Sequence, residues 1–388
     1  MNTNYNNPIR VHFGDDVLDK ELPAELRRYG RRVMLAYGHG SIKKSGLYDR
    51  LVAMLKAAGK EVIDFAGIMS NPTYDKAQEG ARIAKENHVD FILAVGGGSV
   101  SDCCKVVAAQ AKTDEDLWEM EYQEHRMPTD FLPLGVVVTA GGTGSEENAG
   151  AVITNTNTNT KQKNGMLGAL ADFAILDPSL TRTLPMGQVV SGAFDTLSHC
   201  METYFGKPTA TNVSDEVNEA VMRNVIHNLR AIIANPDDDF ARGELLWDAA
   251  LAEDGSLKRG KQTDFQCHML EHQLGAYTDC NHGRGLAVLH PVLYRHLYQT
   301  APEKFARFAR EVWHIAVEDK ADEQMAEEGI NALAAFIQEI GLPSHLSDMG
   351  ISLTDEERRA IAESTFIMPG CCRQLSPDEL EKIFKEAE

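Results

Sequence analysis

No apolar run approaches the roughly 18–20 residues that a membrane-spanning helix needs, so a bilayer span is excluded. Positive charge is scarce. Lys and Arg number 38 against 58 Asp and Glu, a formal net charge of -20, which argues against nucleic acid and anionic membranes as partners. The opening residues, MNTNYNNPIR, lack both a basic segment and an apolar segment, so no secretory signal is expected and a cytoplasmic location is. The seven cysteines follow no framework: an odd count with adjacent pairs at Cys103-Cys104 and Cys371-Cys372 reads as reduced thiols. There is no internal repeat, and low complexity is limited to the short polar run 154–160, read as a loop tip. Neither the GKS/GKT of a P-loop nor the GxGxxG dinucleotide fingerprint occurs.

What is present is ordinary globular composition, 43% hydrophobic and 25% charged, over 388 residues. That length predicts two domains. Up to about residue 185 apolar strands (9–13, 32–37, 62–65, 91–95, 134–139) alternate with helical runs (47–58, 74–87, 100–111). Such alternation predicts a parallel sheet covered on both faces. From residue 186 helical periodicity takes over (186–204, 212–234, 240–253, 263–277), punctuated by Pro208, Pro236, Pro291 and Pro343. The expected fold is an α/β N-terminal domain over 1–185 and an all-α C-terminal domain over 186–388.

The run 264–282, DFQCHMLEHQLGAYTDCNH, concentrates chemistry. His268 and His272 lie four apart, on one helix face, and the break Asp279-Cys280-Asn281 lets His282 turn back toward them. Asp195 and His199 repeat the spacing upstream. Either pair alone is more often a surface or capping pair. Two pairs with His282 suit a divalent Fe, Zn, Mn or Ni ion.

Two glycine loops follow strands. Gly96-Gly97-Gly98-Ser99 leads into a helix, a setting in which backbone N–H groups approach phosphate; the plain alternative is a tight turn. Asp102 and Lys105 then face the same crevice or are solvated. Gly38-His39-Gly40-Ser41 lacks an acid for ribose hydroxyls and precedes Lys43 and Lys44. That favours a 2′-phosphate, hence NADP(H) over NAD(H), against a plain turn with solvated lysines.

Taken together, Gly96-Gly97-Gly98-Ser99-x-x-Asp102-x-x-Lys105, Thr139-x-x-x-Thr143-Gly144-Ser145-Glu146, Asp195-x-x-x-His199 and His268-x-x-x-His272 with His282-Gly283 resemble the iron-containing (group III) alcohol dehydrogenase family over nearly the whole chain. The loop from Tyr37 to Lys44 and the run His268-Met269-Leu270-Glu271-His272 are most similar to its NADPH-dependent butanol dehydrogenase and aldehyde reductase branch. The resemblance implies a dinucleotide-binding α/β domain, a helical metal-binding domain and an active site in the cleft between them. It implies Asp195, His199, His268 and His282 as ligands of one Fe2+ or Zn2+, with His272 near the substrate. Gly97, Gly98 and Ser99 match pyrophosphate positions; Gly38, His39, Gly40, Ser41, Asn71, Asp102, Thr139, Thr143 and Lys161 match other coenzyme positions. Lys163 competes with Lys161, and His39 stands where the branch more often has glycine. Cys200 and Cys267, next to ligands in sequence, read as packing residues by helix geometry, a cysteine ligand being the alternative.

The implied reaction is reversible reduction of an aldehyde to a primary alcohol by hydride from NADPH. The metal acts as Lewis acid, and His272 is either a proton relay or an orienting hydrogen bond. A homodimer paired through the strand near Ile9 is implied too. Two rivals are a metal- and nicotinamide-dependent lyase of the dehydroquinate synthase type and a non-catalytic metal-bound assembly protein. The lyase would need basic residues for a phosphorylated acid, and 195–204 and 264–282 contain none.

Overall fold

The computed structural model describes residues 5–156, 162–317 and 319–388. They gather into two compact units, Asn6–Pro185 and Met186–Glu388, with Tyr5 joining the second.

The first unit runs β1 (Arg10–Phe13), α1 (Val17–Leu26), β2 (Arg32–Tyr37), α2 (Ser41–Lys44), α3 (Leu47–Ala57), β3 (Glu61–Phe65), α4 (Tyr74–Glu86), β4 (Phe91–Gly96), α5 (Gly98–Gln110), β5 (Leu134–Val138), β6 (Gly150–Asn155), β7 (Gln162–Leu167) and β8 (Phe173–Leu176). Six strands form one sheet in the order β1-β8-β5-β4-β2-β3, all pairings parallel. Apart from Arg32, exposed at the start of β2, the central strands are apolar because both faces are covered. Val33, Leu35, Phe91, Leu93 and Val95 pack with Leu18, Leu22 and Leu26 of α1 and Leu47, Leu51 and Leu55 of α3. The alternate residues Met34, Ala36, Ile92 and Ala94 are also fully buried.

The antiparallel pair β6–β7 and the strand β8 were not expected. β8 has four residues, too few for periodicity to register. Thr154 and Asn155 of the polar run belong to β6 instead of a loop tip, since their backbones pair with β7. The rest of that run from 157 on, and Lys161, lie outside the described residues.

Lys105 of α5 is fully buried, not solvated. Its Nζ donates to Ser145 Oγ (2.8 Å), Asn148 Oδ1 (3.3 Å) and Gly150 O (2.7 Å). Asp102, one turn earlier and also buried, accepts from Ser145 Oγ and, at 2.9 Å, from Val152 N. A buried charge is tolerable only when so bonded. These bonds join α5 to the segment entering β6.

The second unit comprises α6 (Met186–Tyr204), α7 (Val213–Ala234), α8 (Asp239–Glu253), α9 (Gln266–Thr278), α10 (His282–Leu297), α11 (Pro302–Glu311), α12 (Asp322–Glu339), α13 (Asp355–Ser364) and α14 (Pro377–Glu386). One apolar core runs through it, from Phe194, Leu197 and Met201 to Ile383 and Phe384. Pro291 does not end a helix, contrary to expectation: it lies inside α10 and is buried there. Tertiary packing of the helix on both sides of it outweighs the lost backbone donor. No helix among the described residues is long and apolar enough to cross a membrane.

Candidate metal centre and nucleotide loops

Three helices carry the candidate ligands. Asp195 and His199 lie one turn apart on α6, His268 and His272 one turn apart on α9, and His282 opens α10. The approach of α10 is set locally. Asp279 adopts a left-handed conformation (φ 54°) that ends α9, and Asn281 caps α10 by accepting from Arg284 N at 3.2 Å. The other end of α9 is also strained. Phe265 has φ 49°, so α9 starts at Gln266, later than its periodicity predicts. A non-glycine residue held there costs roughly 1–3 kcal/mol and persists only where its surroundings enforce it. The Phe265 ring lies 4.8 Å from that of His268 and 5.7 Å from that of His199.

Asp195 Oδ1 lies 3.3 Å from His268 Nε2 and 3.4 Å from His282 Nε2. Four donors bonded at about 2.0–2.2 Å to a tetrahedral ion stand roughly 3.3–3.6 Å apart, so this donor set fits a transition metal. The side chains Asp195, His268 and His282 form a group whose donors all lie within 4.8 Å of one another. His199 stands at its edge, with Nε2 3.9 Å from the same oxygen and its ring stacked on His268 at 4.5 Å. His272 is near but separate, its ring 5.4 Å from that of His282, and it groups with Glu271 and His282 instead.

Two carboxylates that the sequence reading passed over complete the centre. Glu202 Oε2 meets His268 Nδ1 and Glu271 Oε2 meets His282 Nδ1, both carboxylates fully buried. Burial pushes the Glu202 carboxyl up, but the His268 charge and hydrogen bond bring it below the usual carboxylate range. Burial likewise raises Asp195, yet the charges of His199 and His282 hold it well below. His268 is lowered by burial and raised by Glu202 and Asp195, ending at about 10. An ionised carboxylate only accepts, so each Nδ1 carries a proton toward its glutamate, and an ion facing Asp195 and the two Nε2 atoms would take the place of the protons there. The signal for Glu202 was available: Asp195, His199 and Glu202 lie at i, i+4 and i+7 on one helix face. Cys200 and Cys267 are buried in the apolar core, and burial pushes both thiols well up.

In the α/β unit the parallel strands end at one sheet edge, where Gly38–Ser41 follows β2, Gly96–Ser99 follows β4 and Thr139–Ser145 follows β5. The chain reverses its direction of travel between β2 and β4, the place where open α/β sheets bind ligands. The structure brings Gly98 against Thr143: a Cβ on Gly98 would lie 2.3 Å from Thr143 Oγ1. Ser99 Oγ donates to Ser70 O, beside Asn71, and Thr139 N donates to Gly96 O at 2.9 Å. His39 is exposed at its turn. One acid is present that the turn's sequence did not show. Asp64 of β3 accepts from Tyr37 OH (2.8 Å) and Tyr48 OH (3.1 Å) and lies 3.8 Å from Lys43 Nζ.

This sheet and helix bundle, with these motifs, match known proteins along the whole chain. A profile of the iron-containing alcohol dehydrogenases matches residues 8–178, and one of the C-terminal region of the Fe-containing alcohol dehydrogenase family matches residues 189–388. The chain belongs to the iron-containing alcohol dehydrogenase family. Among its relatives, the probable NADH-dependent butanol dehydrogenase 1 of Bacillus subtilis (strain 168) is 38% identical over 99% of each chain. The NADPH-dependent aldehyde reductase YqhD of Escherichia coli (strain K12) is 34% identical over 90% of this chain and 89% of its own. The crystal structure of NADH-dependent butanol dehydrogenase A from Thermotoga maritima superposes with a TM-score of 0.92 at 33% identity, covering 100% of this chain and 98% of that one. The family and fold class implied by the motifs therefore hold, and the protein is an alcohol dehydrogenase-type oxidoreductase. Neither the lyase nor the assembly protein retains support.

Proposed function

We propose that this chain reversibly reduces aldehydes to primary alcohols, using a nicotinamide coenzyme at the α/β sheet edge and one Fe2+ or Zn2+ held by Asp195, His199, His268 and His282. The observation that carries the reading is the buried convergence of two imidazole Nε2 atoms on Asp195 Oδ1 at 3.3 and 3.4 Å. When bound, the ion supplies Lewis-acid polarisation and the coenzyme supplies hydride. Asp195 offsets positive charge, the imidazoles fix position, and His272 exchanges a proton with the substrate oxygen. Gly97, Gly98 and Ser99 hold pyrophosphate by backbone N–H groups at the start of α5, with Asn71, Asp102, Thr139, Thr143 and Lys161 as further coenzyme contacts. The free cysteines accord with a cytoplasmic setting, and the sheet-edge position of β1 accords with a homodimer.

NADPH is the coenzyme favoured by Gly38-His39-Gly40-Ser41 followed by the exposed Lys43 and Lys44. A second reading, NADH, is favoured by Asp64, which holds Lys43 and adds a negative charge beside the same loop. Metal-stripped protein reconstituted separately with Fe(II) and Zn(II) tests both readings through aldehyde-dependent oxidation of NADPH and NADH. Activity restored by metal and greater with NADPH is expected. Greater activity with NADH transfers the preference to the Asp64 reading. Full activity without metal overturns the mechanism.

His272 carries its own test. A positioned proton-transfer group contributes about 10²–10⁴-fold, so His272→Ala should lower kcat/KM by that order and change its pH profile while metal content stays at the wild-type level. Unchanged activity across pH would remove His272 from proton transfer.

A further inference from the structure

We propose that Glu202 and Glu271 are positioning residues of the metal centre, each gripping one ligand imidazole through its Nδ1–H and thereby aiming its Nε2 at the ion. The inference deepens the metal reading above and rests on it.

The two contacts are built independently. Glu202 lies on α6 and reaches His268 on α9; Glu271 lies on α9 and reaches His282 at the start of α10. Each carboxylate is itself held in place. Glu202 also accepts from the backbone N–H of Cys267 at 2.6 Å and of His268 at 3.3 Å, fixing the first turn of α9. Glu271 accepts from Cys280 Sγ at 3.6 Å and packs against Gly285, where a Cβ would lie 2.8 Å from Glu271 Cγ. Fixed carboxylates allow one ring orientation and one tautomer, with the proton on Nδ1 and the lone pair on Nε2. A ligand imidazole so held is a stronger donor and needs no reordering when the ion arrives. His199 provides an internal contrast. Its Nδ1 has no hydrogen-bond partner among the described residues, and its ring is held by stacking on His268 instead. The centre therefore has two imidazoles positioned by carboxylates and one positioned by a neighbouring ring.

A glutamine isostere separates this role from packing. In Glu202→Gln the amide oxygen can still accept from the α9 backbone, but the amide N–H group then faces His268 Nδ1 and favours the tautomer protonated at Nε2. Glu271→Gln does the same to His282 without touching a helix cap. Equilibrium competition for Zn(II) against a chromophoric chelator should show about 10- to 100-fold weaker binding for each variant. The Co(II)-loaded variants should show altered visible d–d bands, while thermal midpoints of the metal-free proteins stay near wild type. If Glu202→Gln fails to fold, Glu271→Gln decides. Wild-type affinity and Co(II) spectrum in a folded Glu271→Gln variant would overturn the proposal and leave the metal reading intact. Weakening that merely follows a lowered metal-free midpoint would overturn it as well. A wild-type chain that binds neither Zn(II) nor Co(II) would overturn the metal reading and this proposal together.

Discussion

Replacing Asp195 with alanine should empty the metal centre and lower kcat/KM by about 10³-fold or more, since Lewis-acid stabilisation contributes several kcal/mol. Asp195 is the one carboxylate in the tight ligand group, and its Oδ1 is the atom on which His199, His268 and His282 all converge. Without it a dication would face imidazoles alone in a buried site, and the charge that makes burial of the ion tolerable would be gone. Glu202 and Glu271 do not substitute, because each is engaged at the far side of its histidine. Elemental analysis of purified Asp195→Ala beside a coenzyme-oxidation assay checks the expectation. Stoichiometric metal with wild-type turnover would mean that the ligand assignment is wrong.

Gly283→Ala should also weaken the centre, although it removes no chemical group. A Cβ on Gly283 would sit 2.2 Å from the carbonyl oxygen of Ser191 and 2.6 Å from Ser191 Oγ. The obstacle is the backbone of α6, so no side-chain rotation relieves it, and α10 must shift. Overpacking of this kind costs about 1–3 kcal/mol. Its direction matters more than its size. Gly283 follows His282, and Ser191 lies one helical turn before Asp195, so the added methyl group separates two of the proposed ligands. The metal-free thermal midpoint should fall, and Zn(II) affinity should drop about tenfold, a difference of roughly 1.4 kcal/mol. Gly187→Ala is the matched control. It also lies in α6, has nothing within 4 Å of its added Cβ, and should leave affinity unchanged. Equal Zn(II) affinities for the two variants would show that the spacing of α6 and α10 does not govern the site.

Much of this was legible because local rules and tertiary structure agree. The strands at 32–37 and 91–95 are continuous apolar runs, and Thr73 caps α4 by accepting from Lys76 N, so pattern and punctuation coincide with the observed elements. The residues of the candidate centre stood out because helical spacing groups Asp195 with His199 and His268 with His272, and the structure brings Asp195, His268 and His282 together. What escaped was set by distant partners. Glu202 shares a helix face with Asp195 and His199, but its partner His268 lies 66 residues on, and Asp64 meets Tyr37 across 27, so neither pairing can be read locally. The sequence does not decide between a crevice-facing and a solvated Lys105, because its acceptors come from a later segment, up to 45 residues on. The break at Asp279 was legible, but Phe265 escaped for the opposite reason: it takes a backbone conformation that its own residue type disfavours, and the fold around it imposes it.

The order of strands bears on how the chain emerges during synthesis. β1 is made first, yet its partner in the sheet is β8, the last strand of the α/β unit, with Arg10 paired to Phe173. At roughly 5–20 residues per second, the ribosome leaves β1 without that partner for on the order of ten seconds. During that interval the strand has a nearer neighbour. Arg10 and His12 both reach Glu25 of α1, at 2.8 and 3.1 Å, and α1 follows β1 immediately in the chain. A nascent hairpin of strand and helix can thus occupy the strand's polar side chains while its edge waits.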